Sequence, residues 1–397
     1  MGGCVARDSA KVGQGARIPP AASAYRRAAG IALSRMTLEE KCGQVLLIGV
    51  PGKGDPSAET TGLVKRLGPG GILIFGFNVG DRALDLGRFT GGLQDAAAAS
   101  DAGLPLIVAI DHEGGRVFRF KSGVTRLPSA AVVGKRGAAC ARMLGERAGL
   151  ELAALGINLA LAPVVELRSP GNAAFLGDRS YGDDPRLVDA VAGAFIEGLE
   201  SSGVAAAAKH FPGNAGEDPH RGLPTLAVTR DALMRDYVAR FSSAMDHDAA
   251  AVLLSHVLVP AIDPERPATI SPLLDRDLLK TRMRFDGVVI TDDLFMRALA
   301  DAMPPDISAV EALAAGADLL MLSDGAAGPR VRDSIRRAAE DGALPIARLD
   351  DAVLRIIELK LRFSMSAAFD REARAARLAS LPEIVVASEK AIKAARP

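Results

Sequence analysis

The stretch GGILIFGFNVGDRALDLGRFTGGLQDAAAASDAGLPLIVAID, residues 70–111, decides the fold. It opens on an apolar run, GGILIF, passes through a longer Ala- and Leu-rich segment of helical character at 81–99, and closes on a second apolar run, LIVAID. Runs that are apolar on both faces suit parallel strands covered by helices, because each strand must bury both sides. The same unit recurs outward from this stretch. QVLLIGV precedes it from Gln44; INLALAPV from Ile157, VAAAAKHF from Val204, AAVLLSHV from Ala250, GVVITDDL from Gly287 and ADLLMLS from Ala317 follow it. Eight β-α units over roughly 280 residues predict an α/β fold, a single (β/α)8 TIM-type barrel, which typically takes ~250 residues. A doubly wound sheet is the alternative.

Helices are expected between the runs, for example at 135–155, 186–201 and 230–245. Another is expected at 329–340, where Pro329 suits a first helical turn. Residues 349–363, LDDAVLRIIELKLRF, carry apolar residues at helical spacing and would complete the wall. The barrel is therefore expected over 36–363. Residues 1–35 read as a Gly-, Ala- and Pro-rich flexible leader with a first helix, and 364–397 as a C-terminal helical extension. No signal peptide precedes Cys4. The chain is expected to be cytoplasmic if its start is native, and a cell-envelope lipoprotein anchored through Cys4 if the start has been trimmed.

Composition narrows the function. The 397 residues hold 48 Lys and Arg against 48 Asp and Glu, so no global field is available to grip a phosphate backbone, and nucleic acid is excluded as a partner. Three dispersed cysteines, Cys4, Cys42 and Cys140, exclude a disulfide framework and a thiolate zinc site. Mean hydropathy is +0.17, and no apolar run is long enough to span a bilayer. Aromatic residues are 4% with no Trp, too few to line a long sugar- or base-stacking groove. A small, polar-held ligand and a monomer are expected.

In a barrel, chemistry gathers at the C-terminal ends of the strands. The apolar runs end on Asp111, His112 and Glu113; on Lys209 and His210; on Ser255 and His256; and on Asp292 and Asp293. Four of the five histidines lie at this rim or, as His220, in the loop just after it. A carboxylate at the end of GVVITDDL suits a nucleophile for glycosyl transfer, since a fixed negative charge stabilises an oxocarbenium-like state and then traps it. The segment KHFPGNAGEDPHRGLPT from Lys209 places Asp218 and His220 in a Gly- and Pro-punctuated loop. A carboxylate that orients an imidazole makes a general acid/base for neutral pH. Arg119 and Arg179 sit beside acids in Gly-flanked loops, as rigid forks for a polyhydroxy ligand. Taken singly, each of these is equally a satisfied end-of-strand group or a structural ion pair.

With MTLEEKCGQVLLIG, GGILIF, AIDHEGGRVFRF, APVVEL, LGDRSYGDDP, KHFPG, DPH, SHVLVPAIDPERPATIS, FDGVVITDDLFM and AGADLLML in order from Met36 to residue 363, the chain closely resembles glycoside hydrolase family 3, in particular its bacterial β-N-acetylglucosaminidases of peptidoglycan turnover. The resemblance implies removal of terminal β-linked N-acetylglucosamine from muropeptide-type fragments, with retention, through a covalent glycosyl-enzyme and with neither metal nor cofactor. It implies Asp292 as nucleophile and Asp218 with His220 as an acid/base dyad on a loop. Asp111, Arg119, Arg179, Lys209 and His210 would hold sugar hydroxyls, with His256 and Met296 near the same pocket. Asp293 and Glu113 fall to support. The chain departs from the usual KHFPGHG at Asn214 and Ala215, and the loop to the dyad is shorter. Too little chain follows residue 363 for the second domain some members carry. The same site also fits a β-glucosidase or a phosphate-using N-acetylglucosaminide phosphorylase. A barrel metallohydrolase and a non-catalytic cell-wall-sugar binding barrel are readings of other classes.

Overall fold

A computed structural model describes residues 20–394, with side chains from residue 24; the first part of the leader, residues 1–19 with Cys4, lies outside the described residues. All eight apolar runs form strands: β1 (Leu46–Gly49), β2 (Gly71–Ile74), β3 (Ile107–Ile110), β4 (Leu159–Ala160), β5 (Ala205–Phe211), β6 (Ala251–Leu254), β7 (Val288–Ile290) and β8 (Leu320–Leu322). Seven parallel pairings run in the order β7-β6-β5-β4-β3-β2-β1-β8. A parallel bridge between Ile290 and Leu319 brings the two ends of that sheet together. The result is a (β/α)8 barrel rather than an open sheet. Every residue of these strands is buried, as strands covered on one face by helices and on the other by the barrel core must be.

The wall follows from local signals. Helix α1 (Pro20–Leu33) packs on α8 (Ile346–Arg362). Helix α2 (Leu38–Gln44) starts at a reciprocal cap in which the Thr37 side chain accepts from the Glu40 amide while Glu40 reaches back to the Thr37 amide. Helix α3 (Ala83–Ala98) fills the connection read at 81–99. The segment read as one helix at 135–155 is broken instead, because Gly137 takes a left-handed φ of +82°. A short helix Ala130–Arg136 therefore ends there and α4 (Ala138–Ala154) begins. Helix α5 (Pro185–Ser201), capped by Asp184 with Pro in its first turn, lies tightly on α4. A Cβ at Gly145 or Gly198 would collide with the facing backbone, so glycine sets this close approach.

Residues 230–246 are helical, but Leu233–Val238 forms a widened π-type turn before α6 (Ala239–Asp246). Helix α7 (Gly328–Glu340) has its proline in the first turn as read. The tail is a single helix, α9 (Arg371–Ala394), packed over α4 and α3 and tied by Arg374 to Asp95 at 2.6 Å. No helix among the described residues is long and apolar enough to cross a membrane.

Buried polar groups brace the closure. Asp318 pairs with Lys280 and Arg348 at 2.5 Å each and accepts from the Val289 amide at 2.9 Å. Lys360 is buried and donates to Gln44 at 2.6 Å. Burial lowers its amine to about 7.

Candidate active site

Strand ends β3, β4 and β5 bring six of the residues read from the sequence into one charged cluster. Asp111, which follows β3, accepts from Arg119 at 2.8 Å and from Lys209 at 2.7 Å. Lys209, on β5, also pairs with Glu113 at 2.6 Å. Arg179, from the loop after β4, forks onto both Glu113 oxygens at 2.8 Å each and lies 3.2 Å from His210 Nε2. Burial alone would raise the Asp111 and Glu113 carboxyls. The Lys209 ammonium, with Arg119 at one acid and Arg179 at the other, outweighs it and holds both well below the usual carboxylate range. Burial would likewise lower Lys209, and the two carboxylates reverse the sign. The cluster is thus a set of fixed charges, rigid enough to present both acceptors and donors to a ligand.

The loop after β5 carries Asp218 and His220. One Asp218 oxygen accepts from the His220 ring Nδ1 at 2.8 Å and from its amide at 3.0 Å. Burial tends to raise Asp218, but these hydrogen bonds prevail and its carboxyl is lowered. The pair stands in an open cleft of about 880 Å³ whose walls include Arg179, Phe175 and Arg116. The shortened loop therefore places His220, 69% exposed, in the same cleft as Arg179. Asp111, Lys209 and Asp292 are not among the residues lining it. The loop is tied across the barrel mouth: the Ala298 amide donates to the Pro219 carbonyl at 3.0 Å, between the dyad's two members.

Asp292 and Asp293 end β7 and point differently. Asp293 accepts from the Phe295 and Ser323 amides at 3.2 and 2.9 Å, so it serves the turn; burial, the larger effect, leaves its carboxyl raised. Asp292 is half-buried, and its single side-chain hydrogen bond among the described residues is from the Asp293 amide at 2.9 Å. His256 is fully buried and occupied on both nitrogens, Nε2 donating to the Asp293 carbonyl at 2.9 Å and Nδ1 lying 2.6 Å from the Thr269 hydroxyl. Met296 is buried and starts the short helix Arg297–Ala300. These two underlie the Asp292 turn rather than line the cleft.

Sequence reading gave no role to Glu166, which the structure places beside His210. Glu166, the acid of APVVEL, is buried against His210 and Asn214, and Asn214 in turn accepts from Ser255 at 2.6 Å. The signal for Glu166 was an acid at the end of an apolar run, the same signal that singled out Asp111. His112 points away from the cluster into Phe118 and Phe120, with ring centroids at 5.1 and 5.7 Å. Its Nδ1 has no hydrogen-bond partner among the described residues, and burial lowers the imidazole from 6.5 to about 4.

His112 carries a pH prediction. Below pH 6.5 the unfolded chain takes up a proton that the folded chain refuses until about pH 4, so stability falls as pH drops through that window. At 1.36 kcal/mol per unit the loss is about 3 kcal/mol. Denaturant titration at pH 7 and pH 4.5 should show a smaller acid loss for His112→Leu than for the wild type; equal losses would refute the assignment.

No group of three or more His, Cys, Asp or Glu among the described residues is disposed to hold a metal.

Residues 37–359 match the glycosyl hydrolase family 3 N-terminal domain. A β-hexosaminidase of Methylococcus capsulatus is 37% identical over 242 residues, covering 59% of this chain and 71% of its own length. The β-hexosaminidase LpqI of Mycobacterium tuberculosis is 32% identical over 332 residues, 81% of this chain and 82% of its own. Among solved structures, a family 3 β-N-acetylglucosaminidase from Paenibacillus sp. strain FPU-7 superposes with a TM-score of 0.80 at 37% identity over 84% of this chain. The chain spans 64% of the length of that structure. LpqI of M. tuberculosis superposes with a TM-score of 0.75 at 32% identity, over 83% of this chain and 94% of its own. The family match and these relatives make the chain a glycoside hydrolase. The chain belongs to glycosyl hydrolase family 3, within the group whose curated relatives are named β-hexosaminidase.

Proposed function

We propose that this chain is a retaining, exo-acting β-N-acetylglucosaminidase that releases terminal β-linked N-acetylglucosamine from muropeptide-type cell-wall fragments. The observation that carries the reading is the Asp218–His220 pair, bonded at 2.8 Å in the same cleft as Arg179. A carboxylate on Nδ1 leaves Nε2 free to serve the glycosidic oxygen. The names of the relatives support the acetylated hexosamine, and the resemblance to peptidoglycan-turnover enzymes supports the muropeptide.

In this mechanism Asp111, Lys209 and Arg179 hold the sugar hydroxyls, with Arg119 and His210 behind them. Asp292 attacks the anomeric carbon as the bond to the leaving group breaks, and His220 delivers its Nε2 proton to the departing oxygen. The product is a glycosyl ester on Asp292 and a free alcohol. His220, now neutral, takes a proton from water as that water attacks the anomeric carbon and releases Asp292, giving the β-anomer.

Nitrophenyl β-N-acetylglucosaminide should be hydrolysed and nitrophenyl β-glucoside should not, with the β-anomer of the free sugar appearing first by proton NMR. Preferential glucoside turnover would move the reading to a glucosidase. An α-anomer appearing first would rule out the covalent mechanism, and muropeptide bound without product would leave a binding barrel.

A further inference from the structure

We propose that Glu166, oriented by Asn214, is the positioning residue of the sugar pocket: it fixes the tautomer of His210 and, through it, the aim of Arg179. The inference rests on the reading of that pocket given above. Glu166 is 2% exposed and follows β4. Among the described residues no Lys or Arg forms an ion pair with it. Its oxygens take four hydrogen-bond donors instead. Oε1 faces the His210 amide at 3.2 Å, His210 Nδ1 at 2.8 Å and Asn214 Nδ2 at 2.8 Å, and Oε2 accepts from the Asn214 amide at 2.6 Å. Three of these donors converge on Oε1 and one on Oε2, and all four call for an acceptor, which a carboxylate supplies.

The orientation of Asn214 is itself determined. The Glu166 carboxylate takes the donor end, Nδ2, at 2.8 Å, which leaves Oδ1 to accept from the Ser255 hydroxyl at 2.6 Å. An ionised Glu166 can only accept, so His210 Nδ1 carries a hydrogen. On the other side of the ring, Arg179 Nη2 can only donate and lies 3.2 Å from Nε2, so Nε2 presents its lone pair. The neutral Nδ1–H imidazole is the form that satisfies both neighbours. Arg179 is then held by three acceptors, both Glu113 oxygens and His210 Nε2, with its remaining N–H groups left for a ligand.

The test is the imidazole nitrogen NMR spectrum of the full chain, whose five histidines make assignment tractable with His210→Gln as the difference sample. In the wild type, His210 should show a protonated Nδ1 and an unprotonated Nε2. In Glu166→Gln the side chain has one acceptor oxygen for four donors. The His210 signals should move toward the Nε2–H tautomer, and KM for the β-N-acetylglucosaminide should rise about 10- to 100-fold. The change in kcat should be much smaller, because Asp292 and His220 are untouched. A wild-type spectrum showing imidazolium or Nε2–H would overturn the proposal whether or not the glutamine variant folds. A folded variant with unchanged KM and an unchanged spectrum would do the same. Absence of wild-type turnover on the glycoside would instead strike the functional reading and leave the tautomer result standing.

Discussion

Asp292→Gly should lower hydrolysis of the nitrophenyl β-N-acetylglucosaminide by about 10⁴-fold or more, the scale of loss when a covalent nucleophile is removed. The choice between adjacent acids follows from their bonds. Asp293 is committed to the Ser323 and Phe295 amides, whereas Asp292 makes one side-chain hydrogen bond, to the next residue's amide, and keeps an oxygen for attack. Added azide should restore turnover by entering the space the carboxylate left, and the product should be the α-glycosyl azide, because azide approaches from the face Asp292 used. Asp293→Asn should lose stability before it loses chemistry, since it unbalances the turn. A glycine variant within tenfold of wild type, or an azide product of β configuration, would transfer the nucleophile's role elsewhere.

His220→Ala is the second large effect. Its loss should scale with how much the leaving group needs a proton: about 10²- to 10⁴-fold in kcat/KM for an alkyl or sugar leaving group, the usual range for a positioned acid. For a dinitrophenyl glycoside, whose leaving group departs as a stable anion, the loss of the glycosylation step should be far smaller. Asp218→Asn should fall between wild type and His220→Ala, because the ring remains but loses the carboxylate that orients it and stabilises its charged form. Equal losses for good and poor leaving groups would mean His220 binds substrate rather than donating a proton.

The architecture was legible because the runs from Gln44 to Ser323 are apolar on both faces, and only a parallel sheet with two covered faces asks for that pattern. All eight runs became strands. Connections were less legible. The break at Gly137 and the wide turn at Leu233–Val238 depend on backbone angles that a helical composition does not reveal. In the candidate site, charged residues at the ends of runs pointed to Asp111, Lys209, His210 and Asp292, since a polar side chain at the end of a buried strand has few places to go other than the barrel mouth, and the first three do meet in one charged cluster. The same logic overshot at His256, whose two nitrogens are taken by Asp293 and Thr269, and at His112, which turns into the phenylalanines. It undershot at Glu166, because its partners are 44 and 48 residues away and meet it only through the β4–β5 pairing.

The dyad is a local object. Asp218 and His220 are two residues apart and hold one another through ring and backbone, while the Asp111–Lys209–Glu113–Arg179 cluster draws on three strand ends. If the pair delivers the proton and the cluster holds the sugar, as proposed, proton delivery is portable in a way that sugar recognition is not. A loop exchange spanning residues 216–222 would carry both members of the pair with it, needing from its host mainly a carbonyl-to-amide tether like that from Pro219 to Ala298. Recognition would have to be rebuilt strand by strand, so divergence among barrels of this kind should run faster in how they donate a proton than in which sugar they hold.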